Sequence, residues 1–248
     1  MVQTLLIDAD IIAYRACSAT ERETEWEEDE WTITSDLKEA RASFDMAVDH
    51  LRQQANVRTH VLCFSDTSNY RKRIDPSYKG NRASRKPVGY KAFRNSLLED
   101  YKELCVCKPN IEADDCIGIL ATIPKQAAQM IIWSADKDLK QIPGVHLIDD
   151  ELVTITEEEG DRYFLTQVLT GDQADNYSGC PGIGPKKAEA ILDSADLNWW
   201  PAVVAAYEKV GLTVDDAIHQ ARLARILRRS DWNHDKQEPI LWTPPAIV

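Results

Sequence analysis

Short apolar runs rich in β-branched residues recur along the first two thirds of the chain. Longer stretches with helical periodicity separate them, at Asp36–Gln54, Tyr90–Cys105 and Ala113–Gln129. Strands that alternate with helices predict an α/β fold, with a parallel-rich central sheet flanked by helices. The predicted strands are three to six residues long, close to the length expected of buried strands. They occupy Thr4–Ile7, Thr59–Phe64, Met130–Trp133 and His146–Ile148.

The pattern changes at about Leu165, where helical periodicity takes over and continues to about Arg229. A turn rich in glycine and proline, Gly179–Pro185, interrupts it. We therefore predict an α/β core over residues 1–164, which includes an inserted basic segment at 67–105. A helical region over residues 165–248 is expected to close on this core.

The composition is that of a globular protein. The chain has 248 residues, 44% of them hydrophobic, which suits one large α/β domain or a domain with a small appendage. No uncharged apolar run reaches the ~18 residues of a membrane-spanning helix. The first 14 residues are apolar but carry Asp8 and Asp10, so they predict a core strand rather than a secretion signal. The six cysteines form no C-x-x-C pair, and we expect reduced thiols and a cytoplasmic location.

Charge is distributed very unevenly. The net charge is −12, which by itself argues against a nucleic-acid partner. Between Arg71 and Arg94, however, nine Lys or Arg residues face a single acid, Asp75, a local excess of +8 that is suited to phosphate binding. The acidic stretch Glu21–Glu30 is interpreted as a solvated helix face, with an electrostatic gate near a nucleic-acid path as the alternative.

Carboxylates stand where the predicted strands end. Because ligand sites of open α/β sheets lie beyond the carboxyl ends of the strands, we expect these acids to face one crevice. An isolated Asp at such a place usually caps a helix or a turn, but here the acids recur after successive elements. They are Asp8, Asp66, Asp136 and Asp138 after strands, Glu112, Asp114 and Asp115 at a helix start, and Asp172 and Asp175 at the start of the second half.

Such a concentration of carboxylates would be self-repelling in a partly desolvated crevice. Hard divalent cations remove the repulsion, and Mg²⁺ prefers oxygen ligands while it keeps some of its water. Two such ions about 3.5–4 Å apart are suited to in-line displacement at a phosphate. We therefore predict two Mg²⁺ ions, for which Mn²⁺ could substitute.

Seven motifs make the chain similar to the flap endonuclease and 5′-3′ exonuclease family, which includes the 5′-nuclease domain of bacterial DNA polymerase I. They span residues 3–190 in the family's order and spacing. The tail segments Ala224–Arg228 and Ile240–Trp242, with Trp26–Glu28, most resemble 5′-3′ exonucleases of short-tailed bacteriophages. The seven motifs are Asp8–Asp10, Phe64–Asp66, Tyr78–Arg82, Glu112–Asp115, Ser134–Asp138, Gly171–Asn176 and Gly182–Ala188.

The resemblance implies a PIN-like nuclease core and roles for individual acids. Asp8, Asp66, Glu112, Asp114 and Asp136 would surround one metal ion. Asp138, Asp172 and Asp175 would surround the second. Asp115 would lie between the two groups or in an outer shell.

The resemblance also implies DNA contacts. Lys79 and Arg82 would act as catalytic residues that engage the scissile phosphate from a helical gateway, and on a helix their spacing would point both the same way. Tyr78 would stack on the terminal base. The hairpin at Gly182–Lys187 resembles a helix-turn-helix element that grips duplex DNA, with a K⁺ ion as a further expectation. The remaining expected DNA contacts are Arg71, Lys72, Arg85, Lys86, Gly182, Gly184, Lys186 and Lys187.

The expected function is metal-dependent hydrolysis of DNA from the 5′ end of duplex, nicked or flap substrates, with 5′-phosphate products. RNA in RNA–DNA hybrids is a further expected partner, and a phage-infected bacterial cytoplasm is the expected setting. Three alternatives stay open: a PIN-type ribonuclease, a non-catalytic protein that binds branched DNA, and a purely structural acidic protein.

Overall fold

A six-stranded sheet organises the first part of the chain. The computed structural model describes residues 3–82, 85–196 and 198–245. The strand order is β5-β4-β1-β6-β7-β8, with parallel pairing throughout except between β7 and β8. The strands are β1 (Thr4–Asp8), β4 (Thr59–Cys63), β5 (Cys105–Val106), β6 (Met130–Trp133), β7 (Gly144–Ile148) and β8 (Glu151–Ile155).

Helices cover both faces of this sheet, as the strand composition predicts. Alternate residues of β1 enter different cores: Leu5 and Ile7 pack on one side and Leu6 on the other. The first side is covered by α1 (Ala9–Ala19), α2 (Leu37–Gln54) and α4 (Tyr90–Asp100), and the second by α5 (Ala113–Ala121) with the chain around Ile226–Trp232. The predicted α/β fold with a parallel-rich sheet is confirmed.

Two predicted helices are shorter than expected. The helix predicted over 90–105 ends at Asp100, and the chain then enters β5. The helix predicted over 113–129 ends at Ala121, and Ala127–Gln129 form only a 3-10 turn. The residues just beyond the two helix ends, 102–104 and 124–126, are exposed. Pro124 in addition disfavours a helical conformation of the residue before it, Ile123.

The acidic stretch Glu21–Glu30 is not a helix face, and that interpretation was wrong. It forms an antiparallel hairpin of β2 (Glu21–Glu27) and β3 (Glu30–Ser35), separate from the main sheet. Asp29 takes a left-handed conformation with φ 66° in the turn, a conformation that Asp tolerates better than most residues. Thr24 and Trp26 are strand-favouring residues two positions apart, and so are Trp31 and Ile33. This spacing is the period of a β-strand.

A third hydrophobic cluster holds the helical region together. It is formed by α6 (Glu157–Thr170), α7 (Pro185–Asp193), α8 (Trp199–Lys209) and α9 (Val214–Ala224), and Tyr78 from the basic segment packs into it. The remaining elements are the short α3 (Arg71–Ile74) and the strand pair β9 (Trp232–Asn233) and β10 (Glu238–Pro239). Within the described residues, no helix is both long enough and apolar enough to span a membrane.

Candidate active site

The carboxyl edge of the sheet carries the first group of acids, as the strand-end argument predicts. Asp8 is the last residue of the central strand β1, paired with Cys63 of β4, and Ile7 pairs with Trp133 of β6. Asp136 follows β6 by three residues and begins a 3-10 helix over Lys137–Gln141. Asp138 lies in the first turn of that helix.

Asp8 is the most unusual of these acids. Its side chain is only 6% exposed, and Oδ2 accepts a hydrogen bond from Ser134 Oγ at 2.9 Å. Oδ1 is buried without any hydrogen-bond partner among the described residues. Burial, reinforced by the negative charges of Asp10 and Asp136, raises the pKa of Asp8 to about 7. An unpartnered carboxylate oxygen in this position is suited to bind a cation.

A second concentration of acids opens α5. One carboxylate oxygen from each of Glu112, Asp114 and Asp115 lies within 4.8 Å of the other two. Burial raises the pKa of Asp114 well above its usual value, and its acidic neighbours add to the effect. For Glu112 burial acts in the same direction, but the Lys79 ammonium and the Arg71 guanidinium outweigh it and lower the pKa. Glu112 and Asp114, two residues apart, are thus held in opposite electrostatic environments.

The third group joins the core to the helical region. Burial raises the pKa of Asp138 to about 6, with the charges of Asp136 and Asp172 adding to it. Asp172 and Asp175 lie in a tight turn, where Asp172 Oδ1 accepts from the amides of Ala174 and Asp175 at 2.6 and 3.3 Å. The charges of Asp138, Asp172 and Asp175 all act on buried Tyr177. All three add to the effect of burial, which raises the pKa of Tyr177.

Two glycines shape the turn that presents Asp172 and Asp175. Gly171 and Gly179 both have positive φ, 68° and 63°, and their backbones touch. A Cβ on Gly179 would lie 2.2 Å from the Gly171 nitrogen, whereas a Cβ on Gly182, which also has positive φ, would meet nothing within 4 Å. An alanine at position 182 would therefore introduce only the strain of a left-handed backbone, whereas an alanine at position 179 would add steric overlap.

We expect Gly179→Ala to destabilise the protein far more than Gly182→Ala. The control should lose only the ~1–2 kcal/mol of a left-handed non-glycine residue. Gly179→Ala adds an overlap that the packed backbone cannot relieve, for a total of at least ~3 kcal/mol. Urea unfolding of both variants measures the difference, and equal losses would contradict the tight packing of this turn.

Two of the predicted metal ligands are engaged by the protein itself. Asp66 Oδ1 accepts from the Thr67 amide at 2.7 Å, and Oδ2 accepts from the Asn110 amide at 2.7 Å and from Ser68 Oγ. The Asn110 amide bond is the largest cause of the lowered pKa of Asp66. Asp115 is fully buried, with both oxygens bound to Arg71. In this structure Asp66 organises a loop and Asp115 forms an internal ion pair.

Arg71 was expected to contact DNA, and its placement contradicts that expectation. It is 2% exposed and binds Asp115 bidentately at 2.7 and 2.8 Å. It also donates to the carbonyl oxygens of Leu223 and Arg225. An arginine enclosed in this way is a structural link between the basic segment, α5 and the end of α9.

Lys79 and Arg82 are not on a helix, so the expectation that helical spacing aligns them was wrong. Lys79 lies in a turn with φ 54°. The two side chains nevertheless converge on one carboxylate: Arg82 Nη2 lies 2.6 Å and Lys79 Nζ 3.4 Å from Asp175. Lys79 also forms an ion pair with Glu112. Tertiary folding, rather than helical periodicity, brings them together.

Tyr78 does not present a stacking surface, contrary to expectation. Its ring is buried in the helical cluster, and its hydroxyl donates to Asp175 at 2.8 Å and to Glu112 at 3.1 Å. Tyr78 therefore connects two of the acidic groups. Tyr70 and Tyr90, which also punctuate the basic segment, are buried as well.

The remaining predicted DNA contacts lie on the surface. Lys72 and Lys86 are exposed, and Arg85 forms an ion pair with Glu21 at the base of the hairpin. Gly182 and Gly184 lie in open space immediately before α7, and exposed Lys186 and Lys187 begin that helix. Lys187 Nζ donates to the Gly182 carbonyl oxygen at 2.8 Å. The Lys187 amide donates to the Gly184 carbonyl oxygen at 3.0 Å and Pro185 has no amide hydrogen, so the two lysines and the dipole of the helix start are what favours an anion here.

Two residues that support the acids of the site were not predicted from the sequence. Ser134 Oγ donates to Asp8 and accepts from the Asp136 amide at 2.9 Å, which holds both acids. Asp10 accepts from the Ser65 amide at 2.6 Å and pairs with Arg94 at 3.0 Å, which fixes the loop after β4 beside Asp8. Both belong to quoted motifs, but a sequence motif does not separate a ligand from a residue that positions one.

The acid set fits divalent cations. Asp8 has an unpartnered buried oxygen, and burial raises the pKa of Asp8, Asp114 and Asp138 alike. Carboxylate oxygens are the ligands that Mg²⁺ and Mn²⁺ prefer. No nitrogen or thiolate ligand is needed, and the six cysteines are all free, as expected for reduced thiols.

Comparisons with known proteins identify related sequences and a shared fold. A family model described as "5'-3' exonuclease, N-terminal resolvase-like domain" matches residues 3–170. The chain is 33% identical to an exodeoxyribonuclease of Enterobacteria phage T3, over 97% of this chain and 92% of the relative. It is 32% identical to an exonuclease of Escherichia phage T7, over 97% and 93%. A bacteriophage T5 flap endonuclease, solved with DNA and metal ions, shares the fold with a TM-score of 0.63 at 16% identity, over 90% of this chain and 88% of that one.

Proposed function

The chain belongs to the 5′-3′ exonuclease family, and from that premise we propose that it is a metal-dependent 5′ nuclease that hydrolyses phosphodiester bonds of DNA. The observation that carries the proposal is the buried, unpartnered Oδ1 of Asp8 at the carboxyl edge of the sheet, beside Asp136. A carboxylate kept there without a cation is unfavourable, and a divalent ion removes the penalty.

The proposed ligands fall into two sets. Asp8, Glu112, Asp114 and Asp136 would hold one ion, and Asp138, Asp172 and Asp175 the other. Bound Mg²⁺ or Mn²⁺ would supply charge stabilisation at the phosphate and activation of a water nucleophile. Asp66 and Asp115 would support these sets indirectly, because Asp66 organises a loop through its hydrogen bonds and Asp115 is fully buried in its ion pair with Arg71. Both oxygens of Glu112 and of Asp175 are engaged by side chains, so metal binding would require those contacts to be exchanged.

Lys79 and Arg82 are the proposed phosphate-binding residues. In this structure they neutralise Glu112 and Asp175, so phosphate binding requires them to exchange one anion for another. Both would then stabilise the negative charge that develops on the phosphate in the transition state. Lys72, Arg85, Lys86 and the turn at Gly182–Lys187 would bind the sugar-phosphate backbone without reading base edges, which predicts dependence on DNA structure rather than on sequence.

Finer assignments complete the proposal. Residues 1–164 would act as the nuclease core and 165–248 as the duplex-binding region. A K⁺ ion would bind at the glycine turn, RNA in RNA–DNA hybrids would be accepted, and the enzyme would work in the cytoplasm of a phage-infected bacterium. The affinity of the protein for duplex DNA would depend on the turn in which Tyr177, Ser178 and Gly179 follow Asn176.

The test is a time course on 5′-labelled duplex, nicked and 5′-flap DNA, with RNA of the same sequence alongside. We expect cleavage of DNA in Mg²⁺, 5′-phosphate ends, and complete loss of cleavage in excess EDTA. Mononucleotide products would indicate exonuclease action, and a single released oligomer would indicate flap cutting.

The same panel tests the rival functions. Preferred cleavage of RNA would favour a PIN-type ribonuclease. Tight binding of flap DNA without cleavage in Mg²⁺ or Mn²⁺ would favour a non-catalytic binding protein, and either result would contradict the proposal.

A further inference from the structure

The hairpin of β2 and β3 projects from the body of the protein. Every residue of β2 except Glu21 is exposed, and the hairpin pairs with no other strand among the described residues. Its base is attached through Ser35, which contacts Thr20, and through Glu21, which contacts Arg85 and the Val88 amide. Arg22, next to the base, pairs with Glu39 of α2 at 3.0 Å. Among the described residues no further hydrogen bond or ion pair joins the outer part of this two-stranded ribbon to the rest of the protein.

Two tryptophans lie on the outer part of this hairpin. Trp26 is 70% exposed and Trp31 is 56% exposed. Trp31 is paired with Glu25 across the strands, whereas Trp26 donates from Nε1 to Thr32 Oγ1 at 3.0 Å. The pairing is irregular between Glu25 and Glu27, but Trp26 reaches Thr32, and Thr32 and Trp31 are neighbours on β3 whose side chains point to opposite faces. One indole therefore lies on each face. Exposed tryptophans are strongly enriched at binding surfaces, where they contribute large contact areas.

The charge around the two indoles indicates which class of partner would bind. Residues 21–30 contain seven acids and one base, Arg22, a net charge of −6. This repels the DNA backbone, so the hairpin is no extension of the DNA path. Carboxylates next to an exposed indole instead favour a cationic side chain, which can stack on the ring and pair with the acids. The combination excludes an acidic or purely apolar occupant.

We infer that the Trp26–Trp31 hairpin is a docking surface for a Lys- or Arg-rich segment of a protein partner. A flexible basic segment that wraps around the free edge of the hairpin would place one cation on each indole and further cations on Glu23, Glu25 and Glu27. The hairpin base contacts Arg85, one of the proposed DNA contacts, whereas Trp26 and Trp31 lie on the outer part. We therefore expect partner and DNA to bind at the same time.

The test uses a fluorescein-labelled decalysine peptide and fluorescence anisotropy in Mg²⁺ at ~0.15 M salt. We expect the double variant Trp26→Ala/Trp31→Ala to bind about tenfold more weakly, from the loss of two cation–π contacts. Met46→Ala is the matched control, because Met46 is an apolar side chain, 73% exposed, on α2. It should bind as the unsubstituted protein does, and a peptide of acetyl-lysines should not bind.

Further measurements separate this surface from other acidic sites. The Glu23→Gln/Glu25→Gln/Glu27→Gln variant should reduce the salt dependence of binding, and the tryptophan variant should keep full nuclease activity, which also reports folding. The inference is overturned if the tryptophan variant changes affinity less than twofold, if flap DNA displaces the peptide, or if nuclease activity falls. It is also overturned if sedimentation shows a dimer of the chain that the tryptophan variant dissolves, because a second copy would then be the occupant.

Discussion

Asp8→Asn should reduce kcat for cleavage of flap DNA in Mg²⁺ by about 10³-fold, equivalent to ~4 kcal/mol of transition-state stabilisation. The substitution keeps the shape of the side chain and the hydrogen bond from Ser134. It removes the charge that the proposed metal ion requires at the centre of the strand edge. Binding of DNA should change little, because Asp8 lies outside the proposed backbone contacts.

The same variant should be at least as stable as the unsubstituted protein in EDTA. Burial raises the pKa of Asp8 from 3.8 to about 7, so the folded protein favours the protonated acid. The resulting stabilisation is complete below pH ~4 and is lost as the pH rises through ~7. The gain in unfolding free energy from Asp8→Asn should therefore be larger at pH 8 than at pH 5.

Asp10→Asn is the matched control for Asp8→Asn. Asp10 lies two residues away, but its oxygens already accept hydrogen bonds from Arg94 and the Ser65 amide. Loss of its charge should lower the unfolding free energy by ~1–3 kcal/mol, the opposite sign. Thermal and urea unfolding in EDTA measure both. If Asp8→Asn retained full activity in Mg²⁺, the proposed metal centre would be wrong.

Arg71→Met should give the largest loss of stability, about 3–5 kcal/mol, because it leaves the fully buried Asp115 without a countercharge and with hydrogen bonds only from the Glu112 and Leu227 amides. It also removes donors to the carbonyl oxygens of Leu223 and Arg225, which attach the end of α9 to α5. Urea unfolding measures the loss.

Lys72→Met provides the control, since Lys72 is the exposed neighbour of Arg71 in α3. A surface substitution of this kind should change the unfolding free energy by less than ~0.5 kcal/mol. The double variant Arg71→Met/Asp115→Leu should recover much of the loss, because it removes the buried charge as well. Equal effects at positions 71 and 72 would refute the structural role of Arg71.

Arg71 shows why its role could not be predicted from the sequence. In the chain it stands in a run of basic residues, which is typical of a solvated or phosphate-binding surface. Its partner Asp115 is 44 residues away, and the carbonyl groups that it binds are more than 150 residues away. Local composition carries no information about contacts of that range. The local excess of eight positive charges that was expected to bind DNA is reduced for the same reason. Lys79, Arg82, Arg85 and Arg94 also pair with distant acids.

The prediction of a helix over the hairpin residues Glu21–Glu30 was wrong for a different reason. Its acidic composition favoured a helix, while the alternation of Thr24, Trp26, Trp31 and Ile33 carried the strand signal in only a few residues. Cross-strand pairing, not composition, decided the structure.

Features of this protein that depend on neighbouring residues could be predicted from the amino-acid order. Strand periodicity predicted the sheet, and the parallel arrangement then placed Asp8 and Asp136 at one edge, because carboxyl ends of parallel strands meet there. The tertiary structure alone decided which acids keep free oxygens and which are already bound. That distinction depends on partners distant in sequence: Ser134 for Asp8, Asn110 for Asp66, Arg71 for Asp115, and Lys79 with Arg82 for Asp175.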